Sequence, residues 1–173
     1  SRWLWLGVNL CTAFFASRVI SAFDGTIERV VALAALMPIV AGMAGNSGNQ
    51  TLTLLVRSLA MGQVTLSNTA DIWRKEVGVA ILNGLIWGCI AGLLAWALYW
   101  DTPEGQKLGI VMALAMFLNM LQGAVVGLAV PFVLKKLGRG PAVGGSLLLT
   151  FMTDSGGFLI FLGLATVFFG ISA

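Results

Sequence analysis

Apolar residues run along this chain in five long stretches, each bounded by charged or turn-forming residues. A bilayer-spanning helix needs about 20 mostly apolar residues. The stretches about 3–23, 29–56, 77–100, 108–134 and 142–171 all reach that length. The polar positions between them predict the connections. These are a short acidic loop with Asp24 and Glu28, a polar loop from Arg57 to Glu76, the acidic run DTPEGQK, and a basic loop with Lys135, Lys136 and Arg139. The expected fold is an all-α integral membrane protein, a single domain of five transmembrane helices.

Two of the five stretches break their own pattern. The second contains Pro38, which removes a backbone donor, followed by Gly42, Gly45, Asn46, Gly48, Asn49, Gln50, Thr51 and Thr53. An interrupted, glycine-rich helix that carries amides within the membrane points to a binding site. Asn46 and Gln50 lie one turn apart on one face. The fifth stretch holds one charge, Asp154. A carboxylate there costs at least about 2.5 kcal/mol on insertion scales, so it needs a partner, a water-filled cavity or an ion. It lies 13 residues after Pro141, about 20 Å up a helix rising about 1.5 Å per residue. That is close to the middle of a core about 30 Å thick.

The other stretches read as packing. Gly84, Gly88 and Gly92 repeat every four residues in the third, a helix-contact stripe. In the fourth, Asn119 and Gln122 accompany Gly123 and Gly127, and interhelical hydrogen bonding is their expected role.

Composition fixes the class. The chain is 58% hydrophobic and 10% charged, whereas soluble domains carry about a quarter charged residues. The net charge of +3 would suggest nucleic acid in a soluble protein, but the basic residues cluster at segment ends and set topology instead. With the N-terminus inside, Arg2, Arg57, Arg74, Lys75, Lys135, Lys136 and Arg139 are cytoplasmic. Arg29 and Lys107 are outside, and Arg18 is near the outer face. Positive residues favour the inside, so the expected topology is N-in and C-out. The absence of histidine removes the usual zinc, copper and haem ligand sets. Cys11 and Cys89 lie within apolar segments and read as small buried hydrophobes, without a disulfide. The opening residues lack a signal-peptide cleavage pattern.

On the fifth segment, Asp154, Thr150, Ser146 and Gly157 share a helical face. Together with Asn46, Gln50 and Thr53 they offer only oxygen ligands, which suit hard cations such as magnesium, calcium and manganese. One carboxylate per chain is too little for a dehydrated divalent ion. Two, related by a twofold axis and facing an ion that keeps its waters, would suffice. The charge argument therefore expects a homodimer in the lipid bilayer, with a divalent cation as its ligand and no nucleic acid.

The run PIVAGMAGNSGNQTLTLLVRSLAMG, with Gly45, Asn46, Ser47, Gly48, Asn49 and Gln50, resembles the second-helix signature of the MgtE family of magnesium channels. Thr153 to Phe158, followed by FLGLAT, resembles that family's fifth helix, and Gly25 to Glu28 and Ala32 to Pro38 fit as well. The resemblance implies a homodimeric five-helix domain passing Mg2+, as the transported ion, into the cytoplasm of a bacterium or archaeon across its inner membrane. It implies no enzyme activity. Asp154 matches the family's pore aspartate, and Asn46 and Gln50 its pore-side amides. Leu147 stands where the family has a proline. Family members carry cytosolic sensing domains ahead of the first helix. With none in this sequence, gating by cytosolic magnesium is expected to lie outside it. Three other readings compete: a transporter or exporter of another divalent cation such as Mn, Co or Ca; an intramembrane aspartyl protease built on Asp154, Ser155 and Gly156; and a non-conducting scaffold with Asp154 paired to Arg18 or another basic residue.

Overall fold

The computed structural model describes residues 2–64, 68–138 and 141–171. Every regular element among them is helical: α1 (Arg2–Ser21), α2 (Asp24–Arg29), α3 (Ala32–Ala60), α4 (Thr69–Leu98), α5 (Gly105–Lys136) and α6 (Pro141–Phe168). The helices α1, α4, α5 and α6 are long and apolar enough to cross a membrane. At 29 residues, or about 43 Å, α3 is also long enough. It is not among the four because Asn46, Ser47, Asn49, Gln50, Thr51 and Thr53 interrupt its apolar run. Arg139, the side chain of Arg2 and residues 65–67 of the Arg57–Glu76 loop lie outside the described residues.

The helices depart from the hydropathy boundaries in an instructive way. The expected acidic loop at Asp24 and Glu28 is the short helix α2. It folds down onto α6, where the buried Thr26 hydroxyl shares a 2.8 Å hydrogen bond with that of Thr166. Most of the expected loop from Arg57 to Glu76 is helix, because α3 continues to Ala60 and α4 starts at Thr69. Charge marks where a chain leaves an apolar layer, whereas backbone geometry marks where a helix stops. Arg57 in the last turn of α3 and Asp71 in the first turn of α4 both complement the helix dipole, so neither ends its helix. The stop is Gly62, at φ 66°. Its N–H donates to Leu59 O and that of Gln63 to Ser58 O, a paired closure that relies on glycine in the left-handed region. Gly170 closes α6 in the same way, with Ile171 donating to Thr166 O.

The directions of the helices follow from which residues meet. The Trp5 ring lies against Gly144, the Phe15 and Phe151 rings meet edge-on at 5.3 Å, and Thr26 meets Thr166. So α1 and α2 run alongside α6 in its own direction. Leu52 faces Gly145, Gly48 faces Leu149 and Gly45 faces Thr153, so α3 runs antiparallel to α6. Gly123 meets Ala44 and Gly127 meets Gly48, so α5 is parallel to α3. Gly84, Gly88 and Gly92 of α4 meet Phe117, Ala113 and Gly109 of α5, an antiparallel pair. The long helices therefore alternate in direction along the chain. α5 sits at the centre, flanked by α3, α4 and α6, while α1 packs chiefly on α6.

The contacts of α3 with α5 and α6 differ between the two ends of the bundle, whereas α4 and α5 meet through glycines at the α2 end as well. Near α2, large side chains interlock: Leu33, Leu36, Val40, Val111, Met112, Met116, Phe161 and Leu162 are all buried. Toward the Gly62 end, α3 and α5 approach through bare backbone. A Cβ on Gly48 would lie 2.8 Å from Gly123 O, and one on Gly127 would lie 2.7 Å from Gly48 O. Lipid tails are as apolar as leucine, so helices in a membrane associate through such close packing more than through hydrophobic burial. The stripe expected at Gly84, Gly88 and Gly92 is buried as a helix contact. Cys11 and Cys89 are free, as expected, but both are exposed on the outside of the bundle. They are not the buried hydrophobes that their apolar neighbours suggest, because the neighbours themselves face outward.

Gly92→Val should destabilise the protein by about 1–3 kcal/mol, the scale of overpacking a filled contact, since its Cβ would lie 2.6 Å from Gly109 O. Gly78→Val meets nothing within 4 Å and should cost far less. Melting temperatures in detergent check the difference.

Candidate functional site

The polar residues of α3 fall on its outward face. Asn46, Gln50 and Thr53 are exposed, at spacings of four and three that keep them on one side of a helix. They line a single groove of about 700 Å³ together with Asn49 and Leu54. This outward placement follows from the glycine packing. Gly48 and Thr51 occupy the buried side, where α5 and α6 leave no room for amides, so the larger polar side chains turn away. Gly45 sits behind the groove, where a Cβ would contact Thr153 Oγ1 at 3.4 Å.

The polar stripe of α6 sinks into the bundle as it rises. Ser146 is exposed, Thr150 and Asp154 are half-buried, and Gly157 is buried against the Asn119 side chain of α5. Ser146 joins the groove directly, because its hydroxyl donates to Asn49 Oδ1 at 2.9 Å, and Asn49 Nδ2 donates to Gly45 O at 3.0 Å. Asn49 is thus part of the arrangement, although the sequence marked it only as one amide among several. Its position three residues from Asn46 is the signal that could have singled it out. Asp154, Thr150 and Gly157 are not among the groove's lining residues. By the antiparallel register, Asp154 lies beyond the level where Gly45 faces Thr153, so the carboxylate and the amide groove occupy successive heights along the α3–α6 pair.

Asp154 is the one acidic residue after Glu104. It forms no hydrogen bond or ion pair among the described residues, and no cluster of three acidic, cysteine or histidine residues that could hold a metal occurs among them. Arg18, the candidate partner in the scaffold reading, is exposed in the last turn of α1. The backbone around Asp154 is heavily engaged. Thr153 Oγ1 donates back to Leu149 O at 3.0 Å and Thr150 O at 3.2 Å. From α5, Asn119 Nδ2 donates to Thr153 O at 3.2 Å and Gln122 Nε2 to Met152 O at 2.8 Å. Asn119 Nδ2 also reaches Val40 O of α3 at 3.2 Å. These two amides are interhelical hydrogen-bond groups, the role expected from the sequence.

Residues 37–164 match the family model MgtE, described as a divalent cation transporter. The chain belongs to the MgtE family. Three magnesium transporters named MgtE are similar to it. That of Thermus thermophilus is 34% identical over 166 residues, covering 95% of this chain and 36% of the relative. That of Bacillus subtilis is 30% identical over 164 residues, with the same coverage. That of Enterococcus faecalis is 29% identical over 164 residues, covering 95% of this chain and 35% of the relative. The chain thus spans about a third of the length of these relatives. MgtE proteins are transporters and not enzymes, so the aspartyl-protease reading of Asp154, Ser155 and Gly156 falls away.

The Ser146–Asn49 bridge in this MgtE domain should be worth about 0.5–1.5 kcal/mol. Ser146→Ala should lower stability by that amount. Asn49→Ala, which also removes the bond to Gly45 O, should lower it further, as thermal unfolding would show.

Proposed function

We propose that this chain is the membrane domain of a magnesium transporter. In this reading it is a five-span, N-in and C-out homodimer in the cytoplasmic membrane. α3 and α6 of each copy face the twofold axis, and hydrated Mg2+ passes between them. The observation that carries the reading is Asp154, a half-buried carboxylate inside an apolar helix, without an ion partner among the described residues. Such a group is retained where a cation can reach it. The outward amide face of α3 beside it supports the same path, because a row of exposed Asn46, Gln50 and Thr53 would be costly against lipid and useful against water. The alternating directions of the five long helices support five crossings. The similarity to magnesium transporters supports Mg2+ over other divalent ions.

In this mechanism the ion keeps its waters. Each chain supplies one carboxylate, so two chains cannot complete an octahedron of charged oxygens, and Mg2+ gives up its waters reluctantly. Water molecules held by the ion donate to Asp154 of both copies and to oxygens of Thr150, while Ser146, two turns lower and beside Asn49, lines the path beyond. Below that level the groove amides accept from and donate to the moving hydration shell. The register that sets Gly45 opposite Thr153 keeps Asn46 near the height of Asp154. Selectivity then rests on the size of the hydrated ion and the geometry of its shell.

Asp154→Ala should abolish Mg2+ uptake into proteoliposomes while leaving a folded dimer on size exclusion. Asp154→Asn should weaken binding severely and Thr150→Val mildly. Wild-type uptake by Asp154→Ala would refute the assignment. In crystals soaked with magnesium, the ion should lie about 4–5 Å from the Asp154 oxygens, outside the direct-bond range of about 2.0–2.1 Å. Direct bonds from both copies would refute the hydrated-ion mechanism.

A further inference from the structure

The turn of α6 that carries Asp154 is gripped from α5, and the grip has features that ordinary helix packing does not require. In an α-helix, Met152 O and Thr153 O accept from the N–H groups of residues 156 and 157. Here the same two carbonyls also accept from Gln122 Nε2 and Asn119 Nδ2. The residues one turn on are Gly156 and Gly157, and a Cβ on either would run into these amides, Gly156 into Gln122 and Gly157 into Asn119. The glycine pair is therefore the seat of the amide pair. Asn119 is fully buried, and through Val40 O it ties the same turn to α3. Three helices are pinned to one another at the height of the carboxylate.

The arrangement also carries an energetic cost. Asn119 Oδ1, Gln122 Oε1 and the Ser155 hydroxyl are buried with no hydrogen-bond partner among the described residues. A buried polar atom without a partner costs on the order of 1–3 kcal/mol. If helix cohesion alone were at stake, alanine or leucine at 119 and 122 would fill the contact without that cost, as the buried apolar Ala115 and Met116 do in the core earlier on α5. The amides instead fix rotation and height, because their donors are directional and apolar contacts are not.

We infer that Asn119 and Gln122 are positioning residues for Asp154, setting where its carboxylate stands relative to α3 and hence how well it receives the hydrated cation. This rests on the reading of Asp154 as the cation-receiving group. Neither amide touches the ion; both act through the backbone of α6.

The test uses Mg2+ uptake into proteoliposomes as a function of external Mg2+, with melting temperature measured in parallel. Gln122→Met keeps volume and removes the donor. It should raise the half-saturating Mg2+ concentration by about fivefold, the scale of one net hydrogen bond, with a smaller change in maximal rate. Gly156→Ala keeps the donor but displaces it, and should raise half-saturation similarly while lowering the melting temperature. The double variant Gln122→Ala with Gly156→Ala removes the clash, so its melting temperature should recover while its half-saturation stays raised. Packing alone would restore both together, and that result overturns the inference. Wild-type half-saturation in Gln122→Met, alongside severe loss in Asp154→Asn, also overturns it and leaves the transport reading intact. Wild-type half-saturation in Asp154→Asn overturns the transport reading itself.

Discussion

The close approach of backbone to backbone between α3 and α5 governs this structure. Gly48, Gly123 and Gly127 bring these two helices so near that a single added carbon would collide with a neighbouring carbonyl, and α6 closes over them with the side chains of Leu149 and Thr153. In lipid the hydrophobic effect does not favour one apolar contact over another, so van der Waals fit and hydrogen bonds must choose the arrangement. The fit leaves no volume on the inner side of α3 for amides. Asn46, Gln50 and Thr53 consequently face out, and Asn119 and Gln122, which enter between the helices from α5, are bonded to backbone carbonyls. The groove and the grip on Asp154 are two results of one packing constraint.

The two ends of the bundle divide the work. The end near α2 is filled by Leu33, Val40, Met112, Met116, Phe161 and their neighbours in the manner of a conventional core. The other end gives up side-chain volume for proximity. Asp154 stands near the changeover, where α6 leaves the glycine contacts with α3 and comes under the amides of α5. The interlocked side chains on one side and the carbonyl bonds on the other fix the backbone that carries the charged group.

Much of this was legible in the sequence. The helical class, the approximate extents of the long helices and the glycine stripe of α4 follow from hydropathy and spacing, because those patterns report what faces what. Helix ends were less legible. Hydropathy placed the start of α4 near Val77, whereas the helix begins at Thr69, since Asp71, Arg74 and Lys75 sit comfortably on a helix that has left the apolar layer. Gly62, Gly138 and Gly170, all at positive φ, were the better markers. The exposed positions of Cys11 and Cys89 were illegible because an apolar neighbourhood in sequence does not say which side faces lipid. The stripe of Asp154, Thr150 and Ser146 was readable as a helical face, but its inward slant was not. That slant depends on how α6 crosses α3, which is set by glycines on another helix.

The division between the two ends has a further consequence, for how much sequence change the fold can absorb. In the interlocked end, a leucine exchanged for methionine or isoleucine can be accommodated by its neighbours' rotamers, at a cost typically under about 1.5 kcal/mol. In the glycine end no rotamer can make room, because the obstacle is main chain: Gly123 O above Gly48, Gly48 O above Gly127. Mutational drift in such a protein is therefore channelled. Side chains can be renewed freely around the α2 end and on the outer surface, while the few positions without a side chain stay fixed for want of a single methyl group's space.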